Sequence, residues 1–140
     1  MIVCLDTNTV LQASKRGHAL SPILDAWVKG ALIWAVSTDI LLEYEEVITR
    51  KSGVARWQQL CRLMDLAELT DGNLLRVSPS YHFHIVTADP DDNIFTDCAI
   101  AAGADYLVTD DAHFKPLAGS GYKPQPITPA EFIARHLTGN

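Results

Sequence analysis

The chain has 140 residues, nearly half of them hydrophobic, which suffices for one good core and is short for two, so a single globular domain spanning residues 1–140 is expected. A formal charge of -6, from 17 Asp and Glu against 11 Lys and Arg, argues against tight unspecific binding to nucleic acid, because phosphate contacts come from basic side chains. No apolar run is long enough to cross a bilayer, and Ile2 to Leu5 has neither the length of a signal-peptide core nor a basic leader, so a cytoplasmic protein with no membrane association is expected.

Taken in chain order, the elements alternate. Ile2-Val3-Cys4-Leu5 is an apolar run suited to a buried strand, followed at once by the helix starters Asp6-Thr7-Asn8. Ser21-Pro22 reads as an N-cap with Pro at the first helical position, opening a helix through about Val28 that stops at Gly30. Ala31 to Val36 reads as a second buried strand. Ser37-Thr38-Asp39 then offers caps for a helix through about Thr49, and a further helix runs from about Val54 to Leu69. Leu74 to Val77 suits a strand, while Tyr81 to Val86 fits a strand or an irregular loop equally well. Asp89-Pro90-Asp91-Asp92-Asn93 is turn chemistry launching a helix through Ala102, closed by Gly103. Tyr106-Leu107-Val108-Thr109 is a short strand, and Thr128-Pro129-Ala130-Glu131 is a capping-box pattern for a last helix to about Leu137. Short apolar strands separated by helices predict an α/β fold with a mostly parallel sheet flanked by helices.

The acids fall where such a fold does chemistry. Asp6 follows the first strand, Glu43 lies early in the helix after the second, and Asp110 and Asp111 follow the strand ending at Thr109. Ligands of open α/β sheets bind beyond the carboxyl ends of strands. Asp6 alone would read as an N-cap, but Thr7 and Asn8 are able to supply that cap and leave Asp6 free. Asp97 sits among Ile94, Phe95, Cys98, Ala99, Ile100, Ala101 and Ala102, which spread apolar groups around nearly the whole helix at about 100° per residue. A carboxylate on so buried a helix needs a metal, an Arg or several donors, unless it lies on an exposed edge.

Other positions stay open on residue pattern alone. Glu43 and Glu45 flank opposite margins of the face made by Ile40, Leu41, Tyr44, Val47 and Ile48, and periodicity does not choose between them, although Glu43 is nearer the strand end. Asp91 and Asp92 fit caps for the following helix. Asp110 and Asp111 fit a turn, and adjacent acids point in different directions, so one of the two is expected at a shared site. If Asp6, Glu43, Asp92, Asp97, Asp110 and Asp111 gather, the remaining 11 of the 17 acids balance the 11 basic residues, and the net charge belongs to the site.

A gathering of carboxylates suits Mg²⁺ or Mn²⁺, hard cations that prefer oxygen. Zinc-type spacing of His and Cys is absent: Cys4, Cys61 and Cys98 read as core residues, and His82, His84 and His113 as surface residues. Lys15-Arg16, Arg50-Lys51, Arg56 and Arg62 are candidate phosphate contacts that otherwise read as solvated surface.

The segments Ile2-Val3-Cys4-Leu5-Asp6-Thr7-Asn8, Ser37-Thr38-Asp39-Ile40-Leu41-Leu42-Glu43, Asp97-Cys98-Ala99-Ile100-Ala101-Ala102 and Leu107-Val108-Thr109-Asp110-Asp111, in that order, resemble the PIN-domain family over nearly the whole chain. Asp89-Pro90-Asp91-Asp92-Asn93 and Gly103-Ala104-Asp105-Tyr106 resemble its branch of toxin components from bacterial and archaeal toxin–antitoxin pairs. The resemblance implies a compact α/β nuclease that binds Mg²⁺ or Mn²⁺ and hydrolyses single-stranded RNA. It implies Asp6, Glu43, Asp97 and Asp111 as the four acidic positions, Asp110 and Asp92 as further acids near the metal, and Asn8, Ser37 and Thr109 as polar supports. It also implies a homodimer and a cognate antitoxin.

Two other readings compete. Asp6-Thr7-Asn8-Thr9-Val10 superficially resembles the motif of aspartyl-nucleophile phosphatases of the haloacid dehalogenase family, but Asn8 stands where that chemistry needs a second, proton-exchanging Asp. A non-catalytic module of the same fold, binding RNA or a protein, is the other.

Overall fold

The computed structural model describes residues 1–70, 72–80, 93–118 and 123–138. Its centre is a five-stranded sheet in the order β3-β2-β1-β4-β5, with every pairing parallel: β1 Ile2–Leu5, β2 Ile33–Val36, β3 Leu74–Arg76, β4 Tyr106–Val108 and β5 Gln125–Ile127. The register sets Leu5 beside Val108 and Val3 beside Trp34. Parallel strands need long crossovers, and these are supplied by α1 Thr7–Ala13 with α2 Ser21–Val28, by α3 Thr38–Ser52 with α4 Val54–Thr70, and by α5 Asn93–Ala102. The chain closes with the short α6, Pro129–Phe132.

Strand order places the working edge. The path runs outward from β1 through β2 to β3, then returns across the sheet to β4 on the other side of β1. The crevice at the carboxyl ends of β1 and β4 is therefore the switch point of the sheet.

Several boundaries differ from the sequence-based expectations, each for a local reason. β5 was not expected at all: it has three residues, one of them Pro126, and proline is tolerated there because the strand lies at the sheet edge. Helix α2 begins at Ser21 rather than being capped by it; Leu20 holds the cap position without a side-chain bond, and His18 Nδ1 accepts from the Leu20 N–H at 3.0 Å instead. Helix α3 continues to Ser52, where Gly53 at φ 95° ends it. The last helix changes pitch after Phe132, Ile133–Leu137 being π-helical with Thr138 N–H bonded to Ile133 O at 3.1 Å. Its capping box is half made: Thr128 Oγ1 accepts from Glu131 N–H, while the Glu131 carboxylate pairs with Arg135 at 2.7 Å. The readings of Tyr81 to Val86, His82, His84, and the Asp89–Asp92 turn fall outside the described residues.

The core is carried by rings. Trp27 meets Trp34 edge-on at 5.0 Å, Trp34 lies 5.8 Å from Tyr44, Tyr44 is 6.3 Å from Phe95, and Phe95 meets Phe114 edge-on at 6.4 Å. This row ties α2, β2, α3 and α5 together, and aromatic pairs at such separations add to the stabilisation from area burial. Cys4 and Cys98 are fully buried as expected, and Cys61 is half-buried on α4. Among the described residues no helix is long and apolar enough to cross a membrane.

One buried bond couples this core to the working edge: the Tyr44 hydroxyl donates to the carbonyl of Leu5, the last residue of β1. Tyr44→Phe keeps the ring and deletes that bond, so it is expected to cost about 1–3 kcal/mol in urea unfolding. An unchanged midpoint would show that the hydroxyl does not hold α3 against β1.

Candidate active site

Asp6 leaves β1 in extended geometry and caps α1, its Oδ1 accepting from Thr9 N–H at 2.9 Å. This corrects the expectation that Thr7 or Asn8 would take the cap; both lie inside the first turn, beyond the residue whose side chain can reach back to it. Capping does not exclude Asp6 from a shared site, because its other oxygen, Oδ2, accepts from the Thr109 hydroxyl at the end of β4. Thr109 Oγ1 in turn accepts from Asp111 N–H at 2.9 Å, and Thr9 Oγ1 donates to Val108 O at 3.2 Å. Two strand ends are thus stitched together by one carboxylate and two threonine hydroxyls.

Glu43 joins from α3. Ser37 caps that helix, its Oγ accepting from Ile40 N–H at 3.3 Å, which sets where Glu43 emerges nearly two turns on. Thr7 Oγ1 donates to Glu43 Oε2 at 2.5 Å. Glu45, the alternative on the same helix, instead accepts from Trp57 Nε1 at 3.0 Å on the side facing α4. Of the two acids that periodicity left open, Glu43 thus faces α1 and Glu45 faces α4.

A cleft of about 470 Å³ is lined by Asp6, Asn8, Glu43 and Asp111, with Thr7, Val47, Phe95, Arg50 and Lys51 completing it. An adjoining pocket of about 210 Å³ takes in Asp6, Asn8, Asp111 and Asp110 together with Thr9 and Gln12. Asp111 borders both and Asp110 only the smaller, so Asp111 is the one of the pair that shares a space with Glu43. Asp111 also caps the following turn, Oδ1 accepting from His113 N–H at 2.9 Å, with His113 Nδ1 at 3.4 Å.

Asp97 is buried on α5, as its apolar surroundings predict, with 4% of its surface exposed. It is not among the residues lining either cavity, although Phe95 on the same helix walls the larger one. Asp92 lies outside the described residues. Thr7, Thr9 and Phe95 were missed by sequence reasoning. Thr7 read there as a helix starter and Thr9 only as part of the phosphatase-like segment; the available signal was a pair of hydroxyls flanking Asn8 directly after the Asp that follows β1.

Electrostatics mark Asp6 further. Burial pushes its carboxyl above the ordinary Asp range, the bonds from Thr109 and Thr9 pull it partly back, and the charge of Asp111 raises it again. Among the described residues that line the cleft, the acids sit with the Asn8 amide and without Cys or His, a set that suits a hard divalent cation. No three His, Cys, Asp or Glu side chains among the described residues stand close enough together to hold a metal ion.

The raised Asp6 value has a defined sign. Between the ordinary value of 3.8 and the folded value the native protein binds more protons than the unfolded chain, so this contribution to stability falls as pH rises through that window. Urea unfolding of metal-free protein across the window should show this slope, Asp6→Asn should remove it, and Thr109→Val should move it to higher pH. The same slope in Asp6→Asn would assign it to another group.

A PIN-domain family model matches residues 2–113. Among solved structures, a chain of the crystal structure of VapBC2 from Rickettsia felis bound to a DNA fragment from their promoter is similar with a TM-score of 0.60 and 18% sequence identity, the match covering 91% of this chain and 98% of that one. At that identity the likeness concerns the fold. No curated protein matches the chain.

Proposed function

Because the chain belongs to the PIN-domain family, we propose that it is a Mg²⁺- or Mn²⁺-dependent ribonuclease that hydrolyses phosphodiester bonds of single-stranded RNA, acting as the toxin of a toxin–antitoxin pair. The observation that carries this reading is the cleft in which Asp6, Glu43 and Asp111 face one space with Arg50 and Lys51 beside them. Acids that hold a cation next to bases that hold phosphate are what a phosphodiester needs on its two sides.

In this reading Asp6, Glu43 and Asp111 would hold the cation, and Asp97, buried on α5, is the remaining acidic position. When bound, the cation supplies an activated water and stabilises charge on the phosphodiester oxygens. Thr109 and Thr9 fix both oxygens of Asp6, so the carboxylate is already oriented before a ligand arrives. Thr7 orients Glu43, Ser37 orients the helix that carries it, and Asn8 offers a neutral polar contact. Asp110 is an additional acid of the same site, and Asp92, which the family resemblance adds, lies outside the described residues. Arg50 and Lys51, in the last turn of α3, bind phosphates flanking the scissile one. The phosphatase alternative is disfavoured by Asn8, whose amide cannot exchange the proton that chemistry requires. A cognate antitoxin and a second copy of the chain are the proposed partners; the similar VapBC2 structure, named for a complex, supports the first.

Purified protein with Mn²⁺ or Mg²⁺ is expected to cleave a single-stranded RNA, and chelation should stop it. Because a metal supplies several kcal/mol of charge stabilisation, Asp6→Asn and Asp97→Asn should each lower the rate on the order of a hundredfold or more. Equal RNA loss with the variants would mean a contaminating nuclease and defeat the assignment. The toxin role is tested separately: expression should arrest growth, and co-expression of a partner encoded beside the gene should relieve it. Harmless expression of a demonstrably active protein would refute that role and spare the nuclease.

A further inference from the structure

A second open space adjoins the acidic cleft. It is a groove of about 550 Å³ between α3 and α4, lined by Thr49, Arg50, Val54 and Trp57, with Glu45 and Glu46 on the α3 side. Arg50 lines both this groove and the acidic cleft. The reason is helical geometry: Glu43, Val47 and Arg50 run along one stripe of α3, and Glu46 and Arg50, four residues apart, lie on the next. Arg50 is thus the corner at which the two spaces meet, about 10 Å along the helix from Glu43.

Trp57 is the distinctive group in the groove. Trp27 and Trp34 are in the core, 1% and 0% exposed, whereas Trp57 is only half-buried and lines an open space. Its indole is held at one edge by the bond from Nε1 to Glu45 Oε2 at 3.0 Å. An oriented aromatic ring beside a cation, next to a phosphodiester cleft, matches the way single strands are bound: bases stack on aromatic faces while basic residues follow the backbone. Glu45 and Glu46 oppose a second phosphate here and leave an uncharged base as the fitting occupant.

We propose that the α3–α4 groove is a nucleobase subsite, in which a base flanking the phosphate at the acidic cleft stacks on Trp57 while Arg50 holds the backbone between the two spaces. The subsite rests on the ribonuclease reading and adds a physical origin for its strand preference. A base must leave its neighbours to stack on the indole, and a paired base is not free to do so. Stacking tolerates any base, so the subsite selects single strands rather than a sequence.

The test uses wild-type protein in EDTA, titrated with a mixed-sequence single-stranded RNA of about 12 nucleotides and with an abasic ribose-phosphate oligomer of the same length, reading tryptophan fluorescence. RNA should quench the emission, the abasic oligomer should not, and Trp57→Phe should abolish the quench. In cleavage assays with Mn²⁺, Trp57→Leu should raise KM about tenfold with kcat nearly unchanged, and Trp57→Phe should largely restore KM. Circular dichroism of the variants checks that they fold. Unquenched fluorescence with RNA, or an unchanged KM in folded Trp57→Leu, would overturn the subsite while leaving the nuclease standing. Quenching that depends on the bases, without cleavage by the wild type, would support the subsite and defeat the nuclease reading.

Discussion

The bond between the Asp6 carboxylate and the Thr109 hydroxyl joins the two strand ends on which the site depends. β1 and β4 are neighbours in space but a hundred residues apart in the chain, and their carboxyl ends bound the switch-point crevice of the sheet. Asp6 serves both sides of that junction. Oδ1 starts α1 by capping it, and Oδ2 reaches across to β4, where the same threonine hydroxyl receives the Asp111 N–H. Tyr44 meets the preceding residue, Leu5, from α3 and brings the aromatic core up against the same point. Local helix initiation, sheet pairing and the placement of Asp111 therefore share one carboxylate.

That arrangement stands in tension with stability. A desolvated carboxyl whose protonation is favoured by burial, near a second acid, opposes folding at neutral pH. Elsewhere in the molecule an acid is used in the ordinary way. Asp105, at the start of β4, accepts from Ile2 N–H at 2.9 Å and pairs with Lys123 at 2.8 Å, and that lysine bond holds its carboxyl below the usual range. Both acids stitch β1 to β4, one at each end of the strand. The end that is satisfied by a lysine is structural. The end that keeps acids facing acids is the one where a divalent cation would offset the repulsion, and residues placed against local stability in this way are characteristic of functional sites.

Much of this was legible in the sequence, and what was not has definite causes. The short apolar strands, the Ser37 cap, the buried helix around Asp97 and the position of Asp6 all follow from local pattern, because each depends on residues within a turn or two. Glu43 and Glu45 were inseparable by periodicity, since both lie at the margin of one apolar face; what separates them is Thr7 from α1 and Trp57 from α4, contacts that no window on α3 contains. β5 escaped notice because an edge strand of three residues with a proline carries no alternation. The two contacts of Asp6 escaped for a different reason: capping read as the alternative to any other role, whereas a carboxylate has two oxygens and here divides them between Thr9 and Thr109.

The ends of β1 and β4, with Glu43 from α3, are the proposed binding site for a divalent cation. Its most direct test is diffraction from crystals soaked in Mn²⁺, recorded for the anomalous signal of manganese. A peak should appear in the cleft bounded by Asp6, Glu43 and Asp111, and it should be lost in crystals of Asp6→Asn. A peak confined to other surfaces, or none at saturating Mn²⁺, would contradict the claim.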